Sequence, residues 1–453
     1  MLKLIYYQFN YSKKQWLGTL PVLLVSSLII GTSMSGIFNI TKHTEIFKYL
    51  ADPTPLFEMI IFFGGLTLFL LISGLINFLI SIFKEDYQLW TVLGANRSQL
   101  SLLIGGQLFL VTFIFSIATT ILSTYLAGGY YSLIQSFVGE KSLPSIPFSF
   151  DWRAALLSLF TVPLIAGASG YYYSRKLLKI GALDREKISN KRRPLHLITK
   201  GSFALLVLGL WLNCIYLLYS ASFTSSLNVR FDRLSSIFFM LLLHLLIIYL
   251  LTPYLQIFQL KFLSKVLAKS NYAMILAKWT ILHKPSYLKS LQSSVAMGIT
   301  LISGFLLLAQ NISARFQTDS VTETKVSFLA FLAAPIVVIL ANVISVTILS
   351  SYQDLKDVKQ LSILGVSKQN HLWLLLSYSL IHSLIVFLTS LLFNLVILAM
   401  VMFGVHLFNY SMVDYTPVFT IDLLVSVLLF VFIFITKFIS ILHANSLDIT
   451  KNA

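Results

Sequence analysis

The sequence has very little charge: Asp, Glu, Lys and Arg make up 11% of its 453 residues, whereas a soluble domain has about 25%. Apolar residues make up 57% of the chain, and the mean hydropathy is +0.84. These values exclude an ordinary soluble globular protein. They predict an all-α integral membrane protein, because helices satisfy their own backbone hydrogen bonds in lipid.

Cysteine and catalytic motifs are also scarce. The one cysteine, Cys214, lies in an apolar run, so an intramolecular disulfide is excluded and a small buried side chain is expected. The chain has no His-Glu-x-x-His or Gly-x-Ser-x-Gly motif and no His or Cys cluster with metal spacing. It also lacks the phosphate-binding loop Gly-x-x-x-x-Gly-Lys-Ser/Thr. We therefore expect no catalytic residue, no metal and no directly bound cofactor.

Long apolar runs are abundant, and ten of them can cross about 30 Å of hydrocarbon. The predicted spans are residues 17–38, 58–83, 101–126, 154–174, 201–221, 236–258, 291–311, 327–350, 372–404 and 418–442. The first run is longer than a signal-peptide core, so we expect it to be retained as a span. No loop on the predicted outer side can bury a core of its own, so recognition must occur within the membrane or at its surface.

The net charge is +16, which in a soluble chain would suggest a nucleic-acid partner. Here most of the 33 Lys and Arg residues fall in segments on one side of the ten spans. Positive residues stay cytoplasmic in short loops, which predicts a multi-pass protein of the cell membrane with both termini in the cytoplasm. The dense basic stretch from Arg175 is expected to set orientation, or alternatively to contact anionic lipid headgroups. No nucleic-acid partner is expected.

Two short polar segments between apolar runs resemble each other. The first island, residues 84–100, reads KEDYQLWTVLGANRSQL, and the second island, residues 353–371, reads QDLKDVKQLSILGVSKQNH. Superposing Gly94 on Gly365 gives an offset of 271 residues. The same offset aligns the acidic, apolar and basic positions: Asp86 with Asp357, Trp90 with Leu361, Leu93 with Leu364, and Arg97 with Lys368.

The islands belong to a longer repeat. In each half a basic amphipathic leading segment is followed by a span, a short loop, a second span, the island and two more spans. This predicts two four-helix units, residues 1–175 and 277–453, joined by a basic loop and two linking spans at 176–276. Six spans separate the starts of the two units, so both would have the same orientation in the membrane.

Each island is predicted to form a short amphipathic helix that the glycine ends or bends. In the first copy Tyr87, Trp90 and Leu93 would form an apolar ridge. Such a ridge flanked by charge suits docking of a protein partner. The alternative for a single copy is an ordinary solvated loop helix, and the in-register duplication favours docking.

The islands resemble the signature that follows the second span of each four-span unit in FtsX-like, or MacB-type, permeases of ABC transporters. Asp86 and Asp357 match its acidic position, Leu93-Gly94-Ala95 and Leu364-Gly365-Val366 its Leu-Gly-Ala step, and Arg97 and Lys368 its first basic position. The chain departs from the family in lacking a large domain between spans 1 and 2 or between spans 7 and 8. The resemblance implies a ten-span permease of bacterial origin.

The resemblance also implies a function. The islands would couple the permease to a separate cytoplasmic ABC ATPase, in two copies, which binds the ATP and Mg²⁺. The permease would export or extrude a hydrophobic substrate: a small peptide, a bacteriocin or other antimicrobial peptide, or a lipid. The alternative is a non-transporting relay of ATPase motion to an extracellular partner, for which residues 127–150 offer the candidate loop.

Small and polar residues inside spans are further candidates. Small residues at fourfold spacing could pack the halves together or pack within the chain: Ser27, Gly31 and Ser35 in span 1, and Ala296, Thr300 and Gly304 in span 7. The candidates for substrate contact are the polar residues Asn77, Gln107, Asn213, His244, Gln310, Asn342, His382 and Asn394. No acidic residue is expected at depth, which argues against ion-coupled transport.

Overall fold

The computed structural model contains helices joined by turns and short irregular segments in the part of the chain that it describes. It describes residues 7, 10, 13–50, 52–141, 143–178, 193–220, 227–267, 272–283, 285–311, 320–363, 366–406 and 414–449. No β-strand occurs within these ranges. The predicted all-α fold is confirmed.

Twelve α-helices lie within these ranges, besides one 3-10 turn at Thr44–Phe47. They are α1 (Lys13–Lys42), α2 (Pro55–Ile82), α3 (Lys84–Val92), α4 (Arg97–Val138), α5 (Trp152–Leu178), α6 (Arg193–Tyr219), α7 (Leu227–Leu267), α8 (Tyr272–His283), α9 (Pro285–Asn311), α10 (Ser320–Ile363), α11 (Lys368–His406) and α12 (Thr416–Ile449). Helix α2 contains a π-helical turn at Ile60–Gly64.

Ten of the described helices are long and apolar enough to cross a membrane, which confirms the predicted number of spans. They are all the helices except α3 and α8. The main difference concerns α4, which continues to Val138 although its span was predicted to end at residue 126. Its 42 residues correspond to about 63 Å, so this helix extends well beyond the hydrocarbon on one side.

The chain divides into two compact units. Unit 1 comprises Met1–Leu206 and Phe305–Asn342, and unit 2 comprises Val207–Gly304 and Val343–Ala453. The sequence-based boundaries at residues 175 and 277 stay a prediction.

Unit 1 is built on close contact between α4 and its neighbours α1 and α5. Glycines allow this approach: a Cβ atom on Gly105 of α4 would lie 2.8 Å from the carbonyl oxygen of Gly167 in α5. A Cβ atom on Gly36 of α1 would lie 2.2 Å from the ring of Phe57, which is fully buried. These positions exclude any larger residue unless the neighbours move.

The segment between α4 and α5 is fastened to the end of α1. The Asn39 side chain donates to the carbonyl oxygen of Ser149 at 3.0 Å and accepts from its amide at 2.9 Å. Two residues on, Asp151 forms an ion pair with Lys42 at 2.8 Å. The hydrogen bond from Lys42 lowers the pKa of the Asp151 carboxyl, and the amide of Arg153 acts in the same direction.

The same segment is also bound to the extended end of α4. Tyr131 donates its hydroxyl hydrogen to the carbonyl oxygen of Pro144 at 2.6 Å, and Gln135 donates to the carbonyl oxygen of Leu143 at 2.8 Å. These contacts explain why α4 continues through Gly128 and Gly129, where composition alone favours a loop. Packing of Tyr131, which is buried, offsets the entropic cost of helical glycine.

Unit 2 is organised around α11, which packs against α12, α8 and α7. Tyr219 at the end of α6 stacks on Phe403 of α11 with ring centroids 3.9 Å apart. His244 of α7 lies between Trp211 and Phe393, at centroid distances of 5.8 and 5.3 Å. Helix α8 buries Ala273 and Ala277 and leaves Trp279 exposed, which gives it one packed and one open face.

Candidate functional site: the two island turns

Helix α3 of the first island is anchored to unit 1 by aromatic contacts. Tyr87 is buried and packs on Phe83 with ring centroids 5.7 Å apart, and Phe83 stacks on Trp16 at 6.1 Å. Phe83 also separates α3 from α2, because its φ and ψ of −88° and 10° depart from helical values. The anchor fixes which face of α3 remains open.

The open face differs from the predicted ridge. Tyr87 faces inward and Trp90 is half-buried, while the strongly exposed apolar side chains are Leu89, Val92 and Leu93. Val92 is 87% exposed and Leu93 is 77% exposed. Residues three or four apart lie on the same side of a helix. The exposed side of α3 therefore carries Leu89 together with Val92 and Leu93, and Tyr87 lies on the buried side.

The first island ends in a Schellman turn. The amide of Ala95 donates to the carbonyl oxygen of Trp90 at 3.0 Å, and the amide of Gly94 donates to that of Thr91 at 3.2 Å. Gly94 has a φ of +96°, a left-handed conformation that glycine adopts without steric cost. The glycine thus ends the helix as the sequence predicts.

The second island forms the corresponding backbone bond 271 residues later. The amide of Val366 donates to the carbonyl oxygen of Leu361 at 3.1 Å. This bond closes a turn of the same length as the bond from Ala95 to Trp90. Leu364 and Gly365, both predicted coupling residues, lie outside the described residues.

The helices that follow the two turns begin at equivalent residues as well. Asn96 accepts a hydrogen bond from the amide of Ser98 at 3.0 Å, and Ser367, at the matching position, accepts from the amide of Asn370 at 3.4 Å. Both residues are N-caps, and the helices start at Arg97 and at the predicted Lys368.

Side-chain exposure agrees between the copies where both are described. Trp90 and its counterpart Leu361 are half-buried. Val92 is 87% exposed and its counterpart Ile363 is 78% exposed. Each island therefore presents an exposed β-branched apolar side chain one to two residues before its turn.

The charged positions of the islands are described in part. Asp86 and Arg97 are exposed in the first copy. In the second copy Asp357 lies within α10 and Lys368 begins α11. The second island also differs in form: its helical part continues α10 without the break that Phe83 makes in the first copy.

The two small-residue faces lie in packed interiors. Ser27 bonds the hydroxyl of Thr119 in α4 at 2.8 Å, and a Cβ atom on Gly31 would lie 2.7 Å from Ser123 of the same helix. In unit 2 a Cβ atom on Gly304 would lie 2.8 Å from Leu241. The remaining members of the two faces are also buried: Ser35, Ala296 and Thr300. Both faces thus contact helices of their own unit.

The predicted polar residues of the spans are scattered. Gln107, His244, Asn342, His382 and Asn394 are buried. Asn77 is half-buried, and Asn213 and Gln310 are exposed. Asn394 takes part in a polar cluster between helices.

That cluster contains an acid that the sequence interpretation missed. Asp422 lies inside the tenth candidate span and is fully buried, so the expectation of no acidic residue at depth is wrong. Asn394 of α11 donates to Asp422 at 3.0 Å and lies 3.1 Å from the hydroxyl of Ser303. Asp422 escaped notice because the surrounding run, TIDLLVSVLLF, is otherwise almost wholly apolar.

A second ionisable residue of α12 was also missed. Lys437 is 3% exposed, and its ammonium nitrogen lies 3.6 Å from the ring centroid of Tyr378 and 5.5 Å from that of Tyr287. The ring of His382 adjoins Tyr378 at 4.5 Å. The rings stabilise the buried cation through their negative faces. Among the described residues no group of His, Cys, Asp and Glu could hold a metal ion.

These features define a multi-pass all-α membrane protein with two similar helix-ending turns. Residues 61–182 match the family model of the FtsX-like permease C-terminal domain, so this part of the chain is an FtsX-like permease domain. The matched stretch includes the whole first island, helices α3, α4 and α5, and most of α2. A domain of this family is a membrane component of a transporter, not a catalytic subunit. No curated protein matches the chain.

Proposed function

We propose that the chain is the membrane subunit of an ATP-driven ABC transporter, which exports or extrudes a hydrophobic substrate. A separate cytoplasmic ABC ATPase binds ATP and Mg²⁺ and docks on both islands, one copy on each. The substrate class is a small peptide, including bacteriocins and other antimicrobial peptides, or a lipid. Both termini and both islands then lie on the cytoplasmic side of a bacterial cell membrane.

The observation that carries the proposal is the repetition of the island turn. The bond from Ala95 to Trp90 and the bond from Val366 to Leu361 are separated by the same 271 residues as the exposed side chains of Val92 and Ile363. The first copy lies inside the FtsX-like match. A solvated loop helix requires neither a repeated turn nor an exposed apolar side chain at the same position.

The exposed apolar side chains supply the docking energy. Burial of one valine or isoleucine side chain is worth about 1.5–3 kcal/mol. Asp86 and Arg97 at the rim would set orientation and speed of association more than affinity. Because Tyr87 fixes α3 to Phe83 and Trp16, a push on α3 passes directly into α1 and α2.

A hydrophobic substrate follows from the lack of large loops in the sequence. Without an outer domain, the substrate must be met in the bilayer or at its surface. The relay hypothesis requires an outer docking surface, and its candidate loop is instead tied to α1 and α4 through Asn39, Asp151 and Tyr131. This arrangement favours transport.

Docking of the ATPase can be tested by substituting the exposed apolar residues with glutamate. Val92→Glu combined with Ile363→Glu should abolish copurification of the ABC ATPase, because a buried unpaired carboxylate is costly. Leu93→Glu should weaken it as well. The matched control is Gln99→Glu with Asn370→Glu, which adds two acids at exposed, equivalent positions in the first turns of α4 and α11, where negative charge is favourable.

The control variant should retain the ATPase and the elution profile of the wild type. If the ATPase remains bound to the Val92→Glu, Ile363→Glu variant at wild-type affinity, the islands are not the docking surface.

A further inference from the structure

The buried acid of α12 lies in a polar cluster that the transport proposal does not use. Asp422 stands six residues after the start of α12, which is about 9 Å along the helix. Its Oδ1 atom accepts a hydrogen bond from Asn394 at 3.0 Å, and Asn394 also donates to the hydroxyl of Ser303 at 3.1 Å. Asp422, Asn394 and Ser303 are each 0% exposed.

The two oxygens of this carboxyl have different surroundings. Oδ2 of Asp422 has no hydrogen-bond partner among the described residues, and neither has the hydroxyl of Ser426, one helical turn further on. An ionised carboxylate offers about four acceptor sites, of which the cluster supplies few with donors. In a protonated carboxyl group one oxygen is a carbonyl oxygen that accepts hydrogen bonds and the other carries the proton. Oδ1, which accepts from Asn394, and Oδ2, which accepts from no described residue, fit these two roles.

Ser390 of α11, one turn before Asn394, also lies close to Asp422. Its hydroxyl donates within its own helix, to the carbonyl oxygens of Val386 and Phe387 at 2.9 and 3.2 Å, and it forms no hydrogen bond with Oδ2 of Asp422.

No cation balances the acid in the described surroundings. Its polar neighbours on α11 and α9, Ser390, Asn394 and Ser303, are neutral. On its own helix the ammonium group of Lys437 follows fifteen residues later, about 22 Å away. The imidazole of His244 on α7 packs against Phe393, the residue before Asn394. A buried carboxyl without a cation is neutralised instead of remaining charged.

We propose that Asp422 is a proton-binding site that is occupied in this conformation. The proton resides on Oδ2, while Oδ1 accepts a hydrogen bond from Asn394. Loss of the proton leaves a bare negative charge between α11 and α12, which only entry of water or of a cation can stabilise. Proton release is thus coupled to loosening of this helix contact. The proposal does not depend on ATPase docking.

Infrared spectroscopy of the full chain in lipid nanodiscs tests the site directly. A carbonyl stretch of a protonated carboxylic acid should be present at neutral pH, shift on labelling with [¹³C]aspartate, and be lost in Asp422→Asn. Asp414→Asn is the matched control, since Asp414 is an exposed acid just before the same helix; this variant should keep the band. His244→Phe should keep it too.

Asn394→Leu gives a second, independent readout. Removal of the amide donor should shift the band to higher frequency without abolishing it, since the carbonyl oxygen loses a hydrogen bond. Absence of an aspartate band in the wild-type protein at neutral pH overturns the proposal, and this outcome requires no variant to fold. Thermal stability can also be compared after Na⁺ is replaced by a bulky organic cation. A loss of stability in the wild type but not in Asp422→Asn would contradict the proposal, because it would mean that Asp422 binds a metal cation and not a proton.

Discussion

The amide of Ala95 donates to the carbonyl oxygen of Trp90 at 3.0 Å, across a glycine with φ of +96°. The same bond joins Val366 to Leu361, so one helix-ending turn is built twice in the chain. In both copies an exposed apolar side chain, Val92 or Ile363, lies five residues before the start of the next long helix. A partner bound there would move two helices at once.

Gly94→Ala should weaken the first turn without disturbing packing. A Cβ atom there would meet nothing within 4 Å, so the cost is purely conformational, about 1–2 kcal/mol for a left-handed residue. Hydrogen exchange at Ala95 should accelerate and ATPase affinity should fall, with the unfolding temperature of unit 1 little changed. Gly129→Ala is the control: it also has open space, at a helical position, and should be neutral or stabilising by about 0.5–1 kcal/mol. Equal effects of both substitutions would contradict a strained turn at Gly94.

Tyr87→Ala and Val92→Ala should separate folding from docking. Tyr87 is 2% exposed and Val92 is 87% exposed on the same short helix. Truncation of the buried ring should destabilise unit 1 by about 3–5 kcal/mol, while truncation of the exposed valine should leave stability within about 0.5 kcal/mol and lower ATPase affinity. Thermal stability and binding measured on the same preparations check this. A stability loss at Val92 as large as at Tyr87 would mean that α3 is oriented differently.

Gly36→Ala should be strongly destabilising. Its new methyl group would lie 2.2 Å from the ring of Phe57, which is held between Tyr130 and Phe148. Overpacking of this kind costs about 1–3 kcal/mol. Phe57→Leu in the same background should restore part of the loss, as measured by the fraction that stays monodisperse after heating. Gly209→Ala, with nothing within 4 Å, should show no such loss; absence of rescue by Phe57→Leu would count against the predicted clash.

The Asp151 ion pair should make stability depend on pH. Its pKa is lowered in the folded protein by the hydrogen bond from Lys42, so the folded state binds the proton more weakly than the unfolded state. The stabilisation is then full above the unfolded pKa of about 3.9 and is lost as the pH falls through the folded value. Asp151→Asn keeps an acceptor for the amide of Arg153 but not the charge. The variant should be less stable than the wild type at neutral pH, and the difference should shrink as the pH falls below the unfolded pKa of about 3.9. A difference that stays constant as the pH is lowered would refute the ion-pair explanation.

The spans and the repeat could be predicted from the sequence because both depend on local patterns. Apolar runs of about twenty residues indicate spans, and Gly94 and Gly365 fix the register of the islands. The face of α3 could not be predicted, since it depends on whether Phe83 and Trp16 cover Tyr87. Nor could the length of α4, because Pro144, which stabilises its end, lies beyond the helix.

Asp422 shows a different limit of sequence interpretation. A single acid changes the mean hydropathy of a span very little. Its partner Asn394 comes from the preceding helix, and Ser303, which Asn394 also contacts, comes from a helix distant in sequence. The available signal was the position of an acid six residues inside the run that begins at Thr416. An acid within a span merits individual inspection, since it is costly there unless it is neutral or paired.

The most direct measurement is the number of ATPase copies bound per permease, determined by native mass spectrometry of the complex. The wild type should bind two copies, Val92→Glu alone and Ile363→Glu alone should each bind one, and the double variant should bind none. The control pair Gln99→Glu and Asn370→Glu should bind two. Two copies on either single variant, or loss of both copies from each of them, would contradict two separate and equivalent docking turns in one chain.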